Sequence, residues 1–354
     1  MTDRGGRKVY LDFLKIAAIY MVLFNHTGAR GFVLFTVKRG SPFFIFYLFN
    51  AVFIKIAVPL FLMISGALLL GKEESPKSLI TNRFLKYLAV LAAASLIQYF
   101  YYCHTNQQAF SLSEFFTKLN TDEHAVAYWY LYAYLAYILM LPLLRRLAGS
   151  MSISEYYWMI ILYGAFNLLS VIEFLIWKGA HSVNSNFHLF ITTNYVFYPL
   201  MGFFIDQKMD SRYFSKKTIA LLSAASIISI AACSLMTIYN CTIIGEWKPA
   251  TCQTFFNTLI FIPAFTVFLS VKTLFQKHRP PEKACRAITA LGGLTFGIFL
   301  IENILRYETE AVFIILKPYI KTLPACWIWI LAACLTGAGV TAVIKCIPGV
   351  RKFI

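Results

Sequence analysis

The chain has 354 residues, of which 59% are hydrophobic and 14% charged, and its formal net charge is +16. A soluble domain is about half apolar and a quarter charged, so this composition, with a mean hydropathy of +0.66, excludes an ordinary globular fold. The excess of Lys and Arg then marks cytoplasmic loops rather than a nucleic-acid-binding face.

In chain order, apolar blocks lie near 9–27, 43–70, 84–103, 125–144, 156–176, 187–205, 217–239, 254–275, 292–313 and 325–346. Each approaches the roughly 20 helical residues that cross a hydrocarbon core. The sequence therefore predicts an all-α, polytopic membrane protein with about ten transmembrane helices. Residues 1–354 form a single membrane domain with no separate soluble domain. The first block carries Asp12, Lys15 and His26 and no small-residue cleavage site follows it, so it reads as a retained span rather than a signal peptide. The second block is long and holds Lys55 and Pro59, which predicts a tilted or broken helix.

Alternate loops differ in charge. The N-terminus, the segments 71–86, 145–155, 206–217 and 272–286, and the C-terminus together carry 21 Lys and Arg; the opposite set carries 9. The positive-inside rule assigns the first set to the cytoplasm. Both termini are then cytoplasmic, in a multi-pass protein of the cell membrane, and the number of spans is even.

The eight cysteines are scattered, with no CxxC or Cys/His spacing for a metal. Cys241 and Cys252 share one predicted external loop and either pair in an oxidising compartment or remain two thiols near the interface.

Ionisable groups inside a bilayer are costly and so mark function by default. In the first span, Lys15 and His26 are eleven residues apart. At 100° per residue they share one helix face, about 16 Å apart along the axis. A cation near the cytoplasmic side and an imidazole further along the same face suit a ligand with an anionic head and a long arm. The alternative is a lysine that snorkels to lipid phosphate and a histidine that marks the helix end. Asp12 lies three residues before Lys15, at ion-pair spacing. Glu173 and Lys55 are further buried charges with no assignable role.

Further along stand Val58-Pro59-Leu60-Phe61-Leu62-Met63-Ile64-Ser65-Gly66, Trp129-Tyr130-Leu131-Tyr132 and Gly297-Ile298-Phe299-Leu300-Ile301-Glu302. With Lys15-x10-His26, this ordered set resembles the acyltransferase-3 family of membrane acyltransferases. Within it, the short forms similar to the enterobacterial common antigen O-acetyltransferase type look closest. The resemblance implies transfer of an acyl group, usually acetyl, from cytoplasmic acetyl-CoA to a hydroxyl of an extracytoplasmic or lipid-linked glycan. It makes His26 the catalytic residue, with no metal. It also implies that Lys15, Arg83 and Lys86 bind CoA, where the family carries arginines. Lysine keeps the charge but loses the bidentate fork that arginine offers phosphate.

Two departures bear on chemistry: Ala127 and Glu302 stand where the family pattern has histidine. Glu302 either serves or orients a base or forms a structural pair with Arg306 one turn away. A thioester is already activated, so the reaction needs a base, oxyanion donors and a phosphate anchor. Histidine is the side chain whose ordinary titration lies closest to physiological pH, so His26 suits the base. Asn25, Ser65 and backbone amides around Gly66 are candidate donors; alternatively Ser65-Gly66 is a small-residue helix contact. The aromatic runs Tyr99–Tyr102 and Tyr128–Tyr132 read either as walls of a sugar site or as interfacial belts. Expected partners are membrane lipid, acyl-CoA and a glycan or lipid-linked sugar, with no nucleic acid. A secondary transporter or flippase, or a catalytically inactive family member, is the competing reading.

Overall fold

The computed structural model describes residues 7–121, 124–177, 193–209, 215–278 and 280–353, and every regular element among them is helical. The helices of six residues or more are α1 (Val9–Asn25), α2 (Phe44–Ile54), α3 (Ala57–Leu69), α4 (Leu85–Thr105), α5 (Leu112–Thr121), α6 (Trp129–Ser150), α7 (Ile153–Trp177), α8 (Asn194–Phe203), α9 (Lys216–Ile244), α10 (Phe261–Lys277), α11 (Glu282–Gly292), α12 (Thr295–Leu300), α13 (Glu302–Glu308), α14 (Glu310–Leu316) and α15 (Thr322–Ile344).

Local chemistry sets their ends. Ser215 opens α9 by accepting the Thr218 amide, and Ser75 opens a short turn by accepting the Ser78 amide with Pro76 in the first helical position. The second apolar block is broken as the sequence predicts. Pro59 has no N–H to give the Lys55 carbonyl, and the backbone switches there to tighter bonds from Lys55 to Val52 and from Ile56 to Phe53.

Seven helical segments among the described residues are long and apolar enough to cross a membrane: Phe44–Leu69, Pro76–Thr105, Val126–Ser150, Ile153–Trp177, Lys216–Ile244, Glu282–Leu300 and Thr322–Ile344. The other three predicted spans correspond to α1, α8 and α10. α1 and α10 have 17 residues each and rise about 26 Å, at the lower limit of spanning length. Residues 187–192 of the sixth predicted span lie outside the described residues. The ninth shifts toward the N-terminus: the predicted 292–313 is divided by breaks at Ile301 and Thr309, and the apolar crossing runs over Glu282–Leu300.

The chain forms two compact units, Met1–Gly71 with Leu144–Thr289, and Lys72–Leu143 with Ala290–Ile354. In the first, α1 packs on α3 and α10, and α9 packs on α10 and α2. The closest crossing joins α3 to α8. A Cβ on Gly66 would lie 1.9 Å from the Pro199 carbonyl oxygen, and one on Gly202 would lie 1.9 Å from that of Met63. Only glycine permits this mutual approach, the small-residue packing that joins helices in lipid. In the second unit, α12, α13 and α14 pack against α15.

Candidate functional site

His26 caps the C-terminus of α1, its amide bonded to the Leu23 carbonyl. The next residues hold it there. Thr27 Oγ1 donates to the Phe24 carbonyl at 2.7 Å and accepts the Phe32 amide at 2.9 Å. Gly28 makes the reversal in the left-handed region (φ +56°) that favours glycine. His26 and Asn25 are half-buried, and the buried Asn25 Oδ1 accepts no hydrogen bond. Lys55 stands at the α2–α3 break, on the stripe of Leu48, Ala51 and Val52, all of which are buried. Its ammonium lies 4.8 Å from the centre of the Phe32 ring.

At the other end of α1, buried Asp12 gathers two cations: Lys15 at 2.9 Å and Arg7, whose Nε donates to Oδ2 at 2.6 Å and whose Nη2 donates to Oδ1 at 3.1 Å. The ion pair predicted from the i,i+3 spacing is present. Ala18, Ile19 and Val22, which lie between Lys15 and His26 on their shared face, are buried. This face of α1 is therefore packing surface over most of its length.

The same unit holds a polar cluster that the sequence reading missed. Asp206 pairs with Lys8 and accepts from the Tyr10 hydroxyl. Buried Lys272 donates to the carbonyls of Ile205 at 2.6 Å and Asp206 at 2.9 Å, closing the widened helical turn Phe204–Lys208. The sequence signal for Asp206 is its place directly after an apolar run. Lys272 has none, because loop-charge counting treats it as another basic loop residue. Ser65 donates to the Phe61 carbonyl at 2.9 Å inside α3, next to the glycine that meets Pro199.

Arg83, Lys86 and Glu302 belong to the second unit. Arg83 lies in a widened turn, Ile80–Phe84, and grips Glu74 with a 2.6 Å bond from Nη2 and 3.0 and 3.2 Å contacts from Nε. Lys86 lies 6.0 Å from the Tyr87 ring centre. Glu302 is buried and pairs with Arg306 at 3.0 Å, while Arg306 also donates to Asn303 Oδ1 at 2.8 Å. Beside this pair the buried Tyr128 donates to the Leu300 carbonyl at 2.6 Å. Ala127, at the second departure from the family pattern, is buried as well.

The aromatic run near Tyr99 is a packed corner. The Tyr99 hydroxyl donates to Glu114 Oε2 at 2.9 Å, and its ring neighbours Phe110, Phe115 and His124. Hydrogen bonds from Lys118 first, and Tyr99 second, hold the Glu114 carboxyl below its usual range.

Among the described residues every regular element is helical and seven helical segments are long and apolar enough to cross a bilayer, as in an integral membrane protein. The acyltransferase-3 family (acyltransferase domain) matches residues 8–345, and the chain belongs to it. It is thus a membrane acyltransferase by family. No curated protein and no solved structure matches it.

Proposed function

We propose that this protein is an O-acyltransferase of the cell membrane that moves an acetyl group from cytoplasmic acetyl-CoA to a hydroxyl of an extracytoplasmic or lipid-linked glycan. The chain crosses the bilayer ten times with both termini in the cytoplasm, as the 21-to-9 loop asymmetry supports. The observation that carries the reading is His26. It ends the first helix on a backbone fixed by Thr27, at the position where the motif resemblance implies the catalytic histidine. Its imidazole takes the proton of the acceptor hydroxyl as that oxygen attacks the thioester carbonyl. The C–S bond then breaks, and CoA leaves as its thiol once its sulfur is protonated. Asn25 Oδ1, an acceptor without a partner, suits orientation of the incoming hydroxyl.

In this scheme the candidate phosphate ligands are Lys15 within the first unit and, within the second, Arg83 and Lys86. Lys15 and Arg83 each already hold a carboxylate within their own unit, so a phosphate bound at Lys15 displaces Asp12, and one bound at Arg83 displaces Glu74. Arg83 keeps a bidentate geometry through that exchange. Glu302 has the structural role, because its carboxylate is committed to Arg306. The resemblance of the motif order to the short enterobacterial common antigen type supports a glycan acceptor.

The test is transfer of radiolabelled acetyl from acetyl-CoA into envelope glycan by membranes carrying the wild type or His26→Ala. The wild type is expected to label a glycan and the variant to lose labelling while still binding CoA. Equal labelling by both sinks His26 as the base. No labelled glycan from either, with CoA bound, sinks the acceptor class.

A further inference from the structure

Cys241 closes the last turn of α9 and Cys252 lies in the short helix Pro249–Gln253. Their sulfurs are 2.8 Å apart, and both residues are fully buried. The backbone between them is held independently of the sulfurs. Asn240 Nδ2 donates to the Thr251 carbonyl at 2.9 Å, and the Cys252 amide donates to the Lys248 carbonyl at 3.0 Å. A disulfide needs its sulfurs about 2.05 Å apart, so a shift of under an ångström closes the gap. We infer that Cys241 and Cys252 are a modification site, joined as a disulfide that ties the loop between α9 and α10 on the extracytoplasmic side.

The chemistry requires an oxidant, and we assign it to the class of protein disulfide donors. The thiolate of one cysteine attacks the donor's disulfide and expels one of its sulfurs. The second thiolate attacks the mixed disulfide and expels the other. Both protons and two electrons leave the chain, and the donor departs as a dithiol. Burial pushes the Cys252 thiol far above the ordinary thiol range, which leaves little thiolate in the packed loop. A cross-link there constrains mainly the unfolded loop.

The sidedness of the loop rests on the topology proposed above, and the experiment separates the two. Cells are quenched in acid so that no thiol oxidises after lysis. Free thiols are blocked under denaturing conditions, and the protein is then reduced and labelled with a mass-tagging maleimide. The wild type is expected to take two tags, and Cys241→Ser and Cys252→Ser none each. Because the count is made on denatured chains, misfolding of a variant does not affect it. Chymotryptic cleavage after Trp247 should leave the wild-type fragments joined until reductant is added. Wild type with no tags overturns the disulfide, and so does a tag that persists on one cysteine when the other is replaced. A reporter fused at Trp247 that reads cytoplasmic overturns the topology instead.

Discussion

The local sequence around His26 sets its backbone position. Asn25 ends a helix, Thr27 returns a hydroxyl to the last turn, and Gly28 reverses the chain. A general base contributes on the order of 10²–10⁴-fold to rate, so His26→Ala should lower kcat by about that factor. His26→Gln should not rescue it, because an amide orients a hydroxyl but does not take its proton. Glu302 makes a contrasting case. Removing one partner of a buried pair leaves an uncompensated charge and costs about 3–5 kcal/mol. Glu302→Gln should therefore lower the melting temperature in detergent, and adding Arg306→Met should restore most of the loss. If the single variant folds normally but is inactive, Glu302 has a chemical role instead. Both residues were legible in the sequence, one by its spacing from Lys15 and the other by its spacing from Arg306. The cluster around Asp206 was not, because its partners Lys8, Tyr10 and Lys272 come from distant parts of the chain.

At the scale of elements, the break at Lys55 could be read from Pro59, since a missing donor leaves a mark in the sequence. The breaks at Ile301 and Thr309 could not: neither residue is a breaker, and their backbone geometry belongs to helices packed on α15. The α3–α8 crossing was half legible. Gly66 stood out beside Ser65, but its partner Gly202 did not. Gly66→Ala and Gly202→Ala each place a methyl against a carbonyl oxygen, and such overpacking costs about 1–3 kcal/mol. Either should reduce the monodisperse fraction on detergent gel filtration, whereas Gly149→Ala, which meets open space, should not. The α5 corner is sensitive to acid. A carboxyl held below its unfolded value stabilises above the unfolded carboxylate range, and that contribution is lost as pH falls through the folded value. Hydrogen-exchange protection of α5 should thus weaken on acidification, and Glu114→Gln should flatten that response.

For the whole molecule, loop charge is the strongest sequence signal, and it gives a direct test of topology. A reporter fused after Lys208 should read cytoplasmic, and one after Trp247 external; the reverse would invert the molecule. Composition made the helical membrane class legible. Span number was less so, because α1 and α10 have only 17 residues each and α8 has 10. The division into two units was not legible, since both are assembled from discontinuous segments.

The paired glycines carry a consequence for how the protein is made. Gly66 and Gly202 are separated by 136 residues, which a ribosome adds in roughly 7–27 s at about 5–20 residues per second. For that interval the helix that fits the Gly66 face of α3 has not yet been synthesised. A lesion at Gly202 should therefore appear first as quality-control proteolysis of newly made chains, in a pulse-chase experiment, ahead of any loss of mature protein.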